Sequence, residues 1–203
     1  GEVWEKALQY CRQAGVRAAA RSAHQEAVTW FEQALDALRY LPERRELLEQ
    51  AIDLRFDLDS ALVPLWGYGT GFDTLHEAER LAEALGDRQR LGRVYGYQAR
   101  HFRILRRYDR ALTAGQHALT IATDLDDVVL RVTAYAALGE AYYSQGDYRR
   151  AIDLLRETVA SFEGERLQGR FGPDRLLLTV SCRAWLVRCL AEVGAFAEGM
   201  AIA

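Results

Sequence analysis

One spacing recurs along this 203-residue chain and constrains its fold more than any other feature. A large or aromatic residue is followed three positions later by a residue that is most often small, and ten positions later by another. The first small position falls at residues 27, 75, 111, 151 and 199, so successive copies lie 48, 36, 40 and 48 residues apart. A period of roughly 30 to 50 residues is typical of a solenoid built from repeated units. The copies are Tyr148, Ala151, Leu155, Thr158; Tyr108, Ala111, Gly115, Ala118; His24, Ala27, Phe31, Ala34; a poorer one at Phe72, Leu75, Glu79, Ala82; and Phe196 with Gly199.

The copy at Tyr148, together with the segment that precedes it, shows that the repeated unit is a pair of helices. Apolar residues between Val132 and Tyr143 fall three or four positions apart, which traces one stripe of an α-helix. Gly146 favours the end of that helix, and Asp147 is placed to cap the next one. The apolar stripe resumes at Tyr148, so two amphipathic helices are joined by a short turn as an αα-hairpin.

The small residues predict where helices cross closely, because a large side chain would hold two antiparallel helices apart. One hairpin cannot bury its apolar face alone, and the next hairpin supplies the missing wall. An Ala151→Arg substitution is therefore expected to cost several kcal/mol through overpacking and a buried charge.

The best copy resembles the tetratricopeptide repeat (TPR) family nearly position by position. At the place of its turn glycine, three other copies carry Ser22, Thr70 and Arg106. The resemblance implies an all-α, right-handed α-solenoid of about five TPR-like helix hairpins, the last one truncated. The residues of the repeat signature are Ala27, Ala34, Ala82, Tyr108, Ala111, Ala118, Leu138, Gly139, Tyr142, Gly146, Tyr148 and Ala151.

The linkers predict a single TPR-like superhelical domain over residues 1–203. Its hairpins are expected at about 2–41, 43–86, 88–124, 127–162 and 173–203. A longer loop with three glycines is predicted from 163 to 174, and Pro173 suits the first turn of the following helix.

Three segments are similar to a multidomain bacterial family, namely 82–87, 146–155 and 183–196. Members of that family carry an adenylate/guanylate cyclase domain, an AAA-type ATPase domain and a C-terminal repeat region. The chain begins at Gly1 without methionine and ends inside an apolar run, so we expect a fragment of a longer protein. The resemblance implies a cytoplasmic bacterial signalling protein.

Composition predicts an ordered globular chain. Half of the residues are hydrophobic, 27% are charged and the formal net charge is −3. A mildly acidic chain has no global electrostatic reason to bind nucleic acid, and no apolar run approaches the roughly 18 residues of a membrane span. The three cysteines, Cys11, Cys182 and Cys189, have no metal-binding spacing and are expected to be small buried residues in a reducing compartment.

No motif predicts catalysis, a metal or a cofactor. The glycine-rich tract 66–71 has neither a preceding strand nor a following lysine, so we interpret it as a turn rather than a phosphate-binding loop. The histidines are scattered over separate predicted helices, which does not suit a metal site. They are His24, His76, His101 and His117.

An arginine cluster between residues 88 and 110 is the feature that most favours a binding surface. Eight arginines fall within these 23 residues, interleaved with aromatic residues. In TPR solenoids the first helix of each hairpin lines the concave groove, so the resemblance implies groove positions on three hairpins. The predicted groove residues are Arg93, Arg100, Arg103, Glu140, Tyr143 and Arg188.

Two interpretations of the cluster remain open. Arginine forks beside aromatic rings suit acidic peptide segments or a terminal carboxylate. Alternatively the arginines form a solvated face that pairs with Glu77, Glu79 and Glu83. The substitution of both Arg100 and Arg103 by Glu is expected to abolish capture of an acidic partner without unfolding the chain.

The sequence thus predicts a non-catalytic scaffold or regulatory module that binds a protein or peptide segment. The second hypothesis is a sensory domain that binds an effector in the groove and controls a linked ATPase, cyclase or transcription-activator output. Partners of the nucleic-acid and membrane classes are not expected.

Overall fold

The computed structural model describes residues 2–163 and 175–202, except for the side chains of residues 162, 163 and 175–177. In this part of the chain there are ten α-helices, a short 3₁₀ helix at Val63–Leu65 and no strand. The α-helices are α1 (Glu2–Ala20), α2 (His24–Leu38), α3 (Arg45–Leu62), α4 (Tyr68–Leu85), α5 (Arg88–Ile104), α6 (Tyr108–Asp124), α7 (Val128–Gln145), α8 (Tyr148–Glu163), α9 (Arg175–Glu192) and α10 (Phe196–Ile202).

The helices pair in the predicted order, which confirms the all-α class built from helix hairpins. The predicted hairpin boundaries stay a prediction; the first helices of the successive pairs begin at Glu2, Arg45, Arg88, Val128 and Arg175. The predicted loop and Pro173 lie outside the described residues, apart from residue 163 at the end of α8.

The chain forms two compact units, residues 1–91 and residues 92–203. In the first unit α2 packs on α1, α3 on α2 and α4 on α3; in the second, α7 through α10 each pack on the helix before. Phe31, Leu54 and Leu58 belong to the core of the first unit. Val132 and Leu186 belong to the core of the second. The assignment of all 203 residues to one domain stays a prediction.

The predicted small positions lie at the helix contacts. Their alanines are fully buried, and an added methyl group at Gly139 would lie only 2.7 Å from Leu155 Cγ. Leu138 is also buried, whereas the aromatic signature residues Tyr108, Tyr142 and Tyr148 are half-buried. The buried alanines are Ala27, Ala34, Ala82, Ala111, Ala118 and Ala151.

In the described part of the chain, six α-helices end directly in the same hydrogen-bonded turn. In each, a residue with positive φ follows the helix, and the next N–H donates to a carbonyl five residues earlier over 2.8–3.0 Å. This Schellman arrangement satisfies carbonyls that the helix leaves without an internal partner. The left-handed residues are Ser22, Gly86, Arg106, Asp126, Gly146 and Gly194.

The prediction that Thr70 occupies this turn position was wrong. Thr70 lies inside α4, and the left-handed residue of the second hairpin is Trp66, at φ +59°. The turn within the glycine-rich tract is therefore shorter than expected. The Gly67 N–H donates to the Leu62 carbonyl, and Gly69 and Gly71 already belong to the next helix.

Aspartates cap the N-termini of α5, α7 and α8, as predicted for Asp147. On α5, the Oδ1 atom of Asp87 accepts a hydrogen bond from the Arg90 N–H at 3.0 Å. The Oδ1 atom of Asp147 accepts a hydrogen bond from the Arg150 N–H at 3.2 Å. Asp127 caps α7 by accepting from the Leu130 N–H at 3.0 Å. Capping carboxylates of this kind fix where these helices begin, and hence the register of the side chains on them.

Candidate functional site

Three pairs of side chains, one pair on each first helix of the last three hairpins, build the candidate site. α5 contributes Arg100 and Arg103, α7 contributes Glu140 and Tyr143, and α9 contributes Trp185 and Arg188. The members of each pair are three residues apart, a spacing that places both on one face of a helix. All six belong to the second compact unit.

A nearly buried ion pair joins α5 to α7. The Arg103 guanidinium lies 3.1 Å from Glu140 Oε2, and the two side chains are only 17% and 16% exposed. Burial raises the pKa of Glu140, and the charges of Arg103 and Arg100 act in the opposite direction without cancelling that effect. The charge of Arg103 is thus neutralised within the fold.

Two aromatic rings and two arginines contact one another beside this ion pair. The rings of Tyr143 and Trp185 meet edge to face, with centroids 5.1 Å apart and planes at 62°. The Arg103 guanidinium carbon lies 5.2 Å from the Trp185 centroid. The Arg188 guanidinium carbon lies 4.8 Å from Trp185 and 5.3 Å from Tyr143. We call Arg103, Glu140, Tyr143, Trp185 and Arg188 the α5–α7–α9 cluster.

The cluster contains four of the six predicted groove residues. Arg100 lies one turn from Arg103, and its guanidinium carbon is 4.9 Å from the Tyr97 ring on the same helix. Arg93 is exposed and lies ten residues before Arg103 on α5, about 15 Å away at 1.5 Å per residue. It does not belong to the cluster, and whether these residues bind a partner stays a prediction.

Trp185 is not among the predicted groove residues. The signal was present, because Trp185 precedes the predicted Arg188 by three residues and therefore lies on the same face of α9. The spacing of the arginines pointed to α5. The ring that contacts both Arg103 of α5 and Arg188 of α9 is Trp185, which lies on α9.

The proposed double substitution of Arg100 and Arg103 by Glu tests this site poorly. A carboxylate at position 103 would face Glu140 in a setting where both side chains are largely buried. Two like charges without a partner there would destabilise the second unit, so a loss of capture would not separate binding from folding.

The described part of the chain offers no group of three or more His, Cys, Asp and Glu side chains arranged to hold a metal ion. Cys182 and Cys189 on α9 are fully buried. Burial raises the pKa of these thiols to about 12 and about 11, which suppresses the thiolate needed for nucleophilic chemistry. The cluster can instead bind an anion and an apolar group side by side.

None of the helices in residues 2–163 and 175–202 has both the length and the apolar character that crossing a bilayer requires.

Comparison with known proteins agrees with the repeat interpretation. The tetratricopeptide repeat family profile matches residues 90–164. This range includes all of α6, α7 and α8, and α5 except for its first two residues. Together with the fold, this match supports a TPR protein. No curated protein sequence matches the chain significantly.

Solved structures share the fold at low sequence identity. A Rap protein complexed with Competence and Sporulation Factor is 17% identical, with a TM-score of 0.82 over 97% of this chain and 52% of the other. The Rap conjugation gene regulator of plasmid pLS20, in complex with a Phr peptide, is 17% identical, with a TM-score of 0.79 over 96% and 51%. A kinesin light chain with TPR-like repeats from Podosopora anserina is 15% identical, with a TM-score of 0.66 over 96% and 90%.

These likenesses confirm that the fold is of the TPR-like solenoid class. The similarity to cyclase and ATPase proteins that the sequence suggested finds no counterpart among them. The chain spans about half the length of the two Rap proteins that it matches.

Proposed function

We propose that the chain is a non-catalytic protein-interaction module and that the α5–α7–α9 cluster binds a peptide segment of its partner. One observation carries the proposal: side chains from three hairpins meet in the α5–α7–α9 cluster, where two rings lie beside an exposed cation. Tryptophan, tyrosine and arginine are the residue types that dominate binding energy at protein interfaces. An acidic segment suits this surface best, since the cation stands beside apolar rings.

Peptide selection with matched tryptophan variants tests the proposal. The full 203-residue chain is used to select from a phage-displayed library of random peptides of about twelve residues, and selected peptides are measured by fluorescence anisotropy. Trp185→Ala is expected to weaken their binding by about tenfold or more, because an aromatic anchor is lost. Trp66→Ala is the matched control, since Trp66 lies in the first unit and is 79% exposed.

Folding must be separated from binding in this experiment, because Trp185 packs against the core of the second unit. Circular dichroism melting identifies variants that remain folded, and Tyr143→Ala provides a second one. Peptides that bind folded Trp185→Ala and Tyr143→Ala as tightly as the unsubstituted chain would contradict the proposal.

A second candidate is a sensory domain in which the bound segment is a free peptide effector. The fold likeness to two Rap structures, one in complex with Competence and Sporulation Factor and the other with a Phr peptide, supports this version. A free short peptide that raises the melting temperature of the whole chain by several degrees would favour the sensory function. Binding only to segments within folded proteins would favour the scaffold function.

We further propose that the module belongs to a larger cytoplasmic bacterial signalling protein and relays binding to a linked ATPase or cyclase. The three segments at 82–87, 146–155 and 183–196 support this context by their resemblance to such proteins. The domain composition of the full-length gene product tests it directly, and a product without either domain would contradict it.

A further inference from the structure

We infer that Arg188, and not Arg103, recognises the anionic group of the ligand, and that the ligand is a peptide in which an acidic side chain adjoins an apolar or aromatic one. The inference rests on the proposed function and assigns chemistry to individual residues of the same cluster.

Arg103 is already committed to a carboxylate within the fold. Its partner Glu140 lies 3.1 Å away and, like Arg103, is more than four-fifths buried. A ligand carboxylate at Arg103 would have to displace Glu140 and leave that charge buried without its partner, which is strongly unfavourable. Arg100 also acts on Glu140, because its charge lowers the pKa of that carboxyl group.

Arg188 differs from Arg103 in exposure and in charge. Its side chain is exposed on α9, and none of the ion pairs among the described residues includes it. The carboxylate one turn further along α9, Glu192, instead lies 3.5 Å from the Tyr143 hydroxyl, which donates to it. The described part of the chain therefore leaves the charge of Arg188 for an external anion.

The rings beside Arg188 prepare it for a carboxylate. Contact with Trp185 at 4.8 Å and Tyr143 at 5.3 Å restricts the guanidinium, while the planar fork keeps its N–H donors available for a bidentate partner. Both rings are half-buried and so retain apolar area beside the cation. A peptide residue next to the acidic one can pack there, which accounts for the second part of the predicted ligand chemistry.

The test measures the selected peptides on charge variants of the full chain. Asp or Glu beside an apolar residue is expected to be enriched among them. Arg188→Glu should weaken their binding by about tenfold or more, since an attractive pair becomes a repulsive one. Arg149→Glu makes the same charge change at an exposed position of α8 and should alter binding by less than about twofold.

Reciprocal charge reversal and removal of the buried pair complete the test. A peptide whose acidic residue is replaced by Arg should bind Arg188→Glu better than it binds the unsubstituted chain. The double variant Arg103→Met with Glu140→Met removes the ion pair at constant net charge and should keep the preference of the selected peptides for an acidic over a neutral residue, whatever its effect on overall affinity. If this variant does not fold, Arg103→Lys, which keeps the charge but not the fork, should keep the same preference.

The outcomes separate the inference from the proposed function. Selected peptides that need Trp185 but carry no acidic residue, or that tolerate Arg188→Glu, would overturn the inference and leave the proposed function standing. Loss of binding in a folded Arg103 variant together with tolerance of Arg188→Glu would assign recognition to Arg103 instead. The absence of any selected peptide that depends on Trp185, Tyr143 or Arg188 would overturn both.

Discussion

Glu140 makes the candidate site sensitive to pH through a single carboxyl group. Burial raises its pKa above the ordinary value of 4.5, although Arg103 and Arg100 favour the ionised form. Between that ordinary value and the raised one, the folded chain binds more protons at this group than the unfolded chain does. The stabilising contribution of the protonated group is therefore complete below pH 4.5 and is lost as pH rises through the raised pKa.

Glu140→Gln should remove this pH dependence, because the amide stays neutral. As pH rises from about 4 to about 7, the unsubstituted chain is expected to lose stability relative to Glu140→Gln. Urea unfolding of both proteins across this range measures the difference, and Glu32→Gln at an exposed position of α2 is the control. The opposite trend would mean that attraction to Arg103 outweighs burial.

Individual residues were predictable where their role is steric and not where it depends on a distant helix. The buried alanines follow from spacing alone, because only small side chains fit a close helix crossing. The pairing of Arg103 with Glu140 joins residues 37 positions apart, and no local pattern specifies it. Thr70 was misplaced because the second hairpin ends its first helix in a 3₁₀ turn that the other copies lack.

At the scale of helices, a glycine indicates a close helix contact only where another helix packs against it. Gly96 in α5 and Gly139 in α7 are both inside helices, so alanine improves helix propensity equally at the two positions. An added Cβ at Gly96 meets nothing within 4 Å, whereas at Gly139 it lies 2.7 Å from Leu155 Cγ. An alanine side chain therefore clashes with a neighbouring helix at position 139 but not at position 96.

Gly96→Ala is expected to stabilise the chain by up to about 1 kcal/mol. Gly139→Ala carries the same gain together with an overpacking cost of about 1–3 kcal/mol, so it should be less stable than Gly96→Ala by that cost. The free energy of unfolding in urea measures both variants. Equal stability would show that Leu155 moves aside without cost.

The helix ends were predictable because their chemistry is local. Glycine and aspartate at residues 146 and 147 end one helix and begin the next, as their conformational preferences require. Ser22 and Arg106 adopt the same left-handed turn without glycine's freedom. The connection between the two helices requires this conformation. The turn positions of Ser22 and Arg106 were predicted from the period of the repeat and not from the residue type.

For the whole molecule, the repeat period predicted the fold class but not a partner. Stacked hairpins present the same framework whatever lies on their outer faces, so the same fold supports many functions. The candidate site depends on which side chains three successive hairpins bring to one surface. That combination is a property of this chain, and the resemblance-based register named four of the five residues in the cluster.

The repeat architecture also predicts which helices lose stability when a single buried residue is substituted. Each hairpin contacts only its neighbours, so stability is approximately a sum over local interfaces. Ala151 is fully buried in α8, and Ala151→Arg is expected to cost about 4 kcal/mol. Hydrogen exchange followed by mass spectrometry should show lost protection in α7, α8 and α9, which pack together, while α1 and α2 keep theirs.

Ala27→Arg provides the matched reciprocal variant, because Ala27 occupies the equivalent repeat position in α2 and is equally buried. Its loss of protection should fall on α1, α2 and α3, which pack together in the first unit, and should spare α8 and α9. The separate apolar cores of the two units are the physical reason for this locality. If either substitution removed protection from every helix to the same extent, the chain would unfold as one cooperative block, and the nearest-neighbour description of its stability would be wrong.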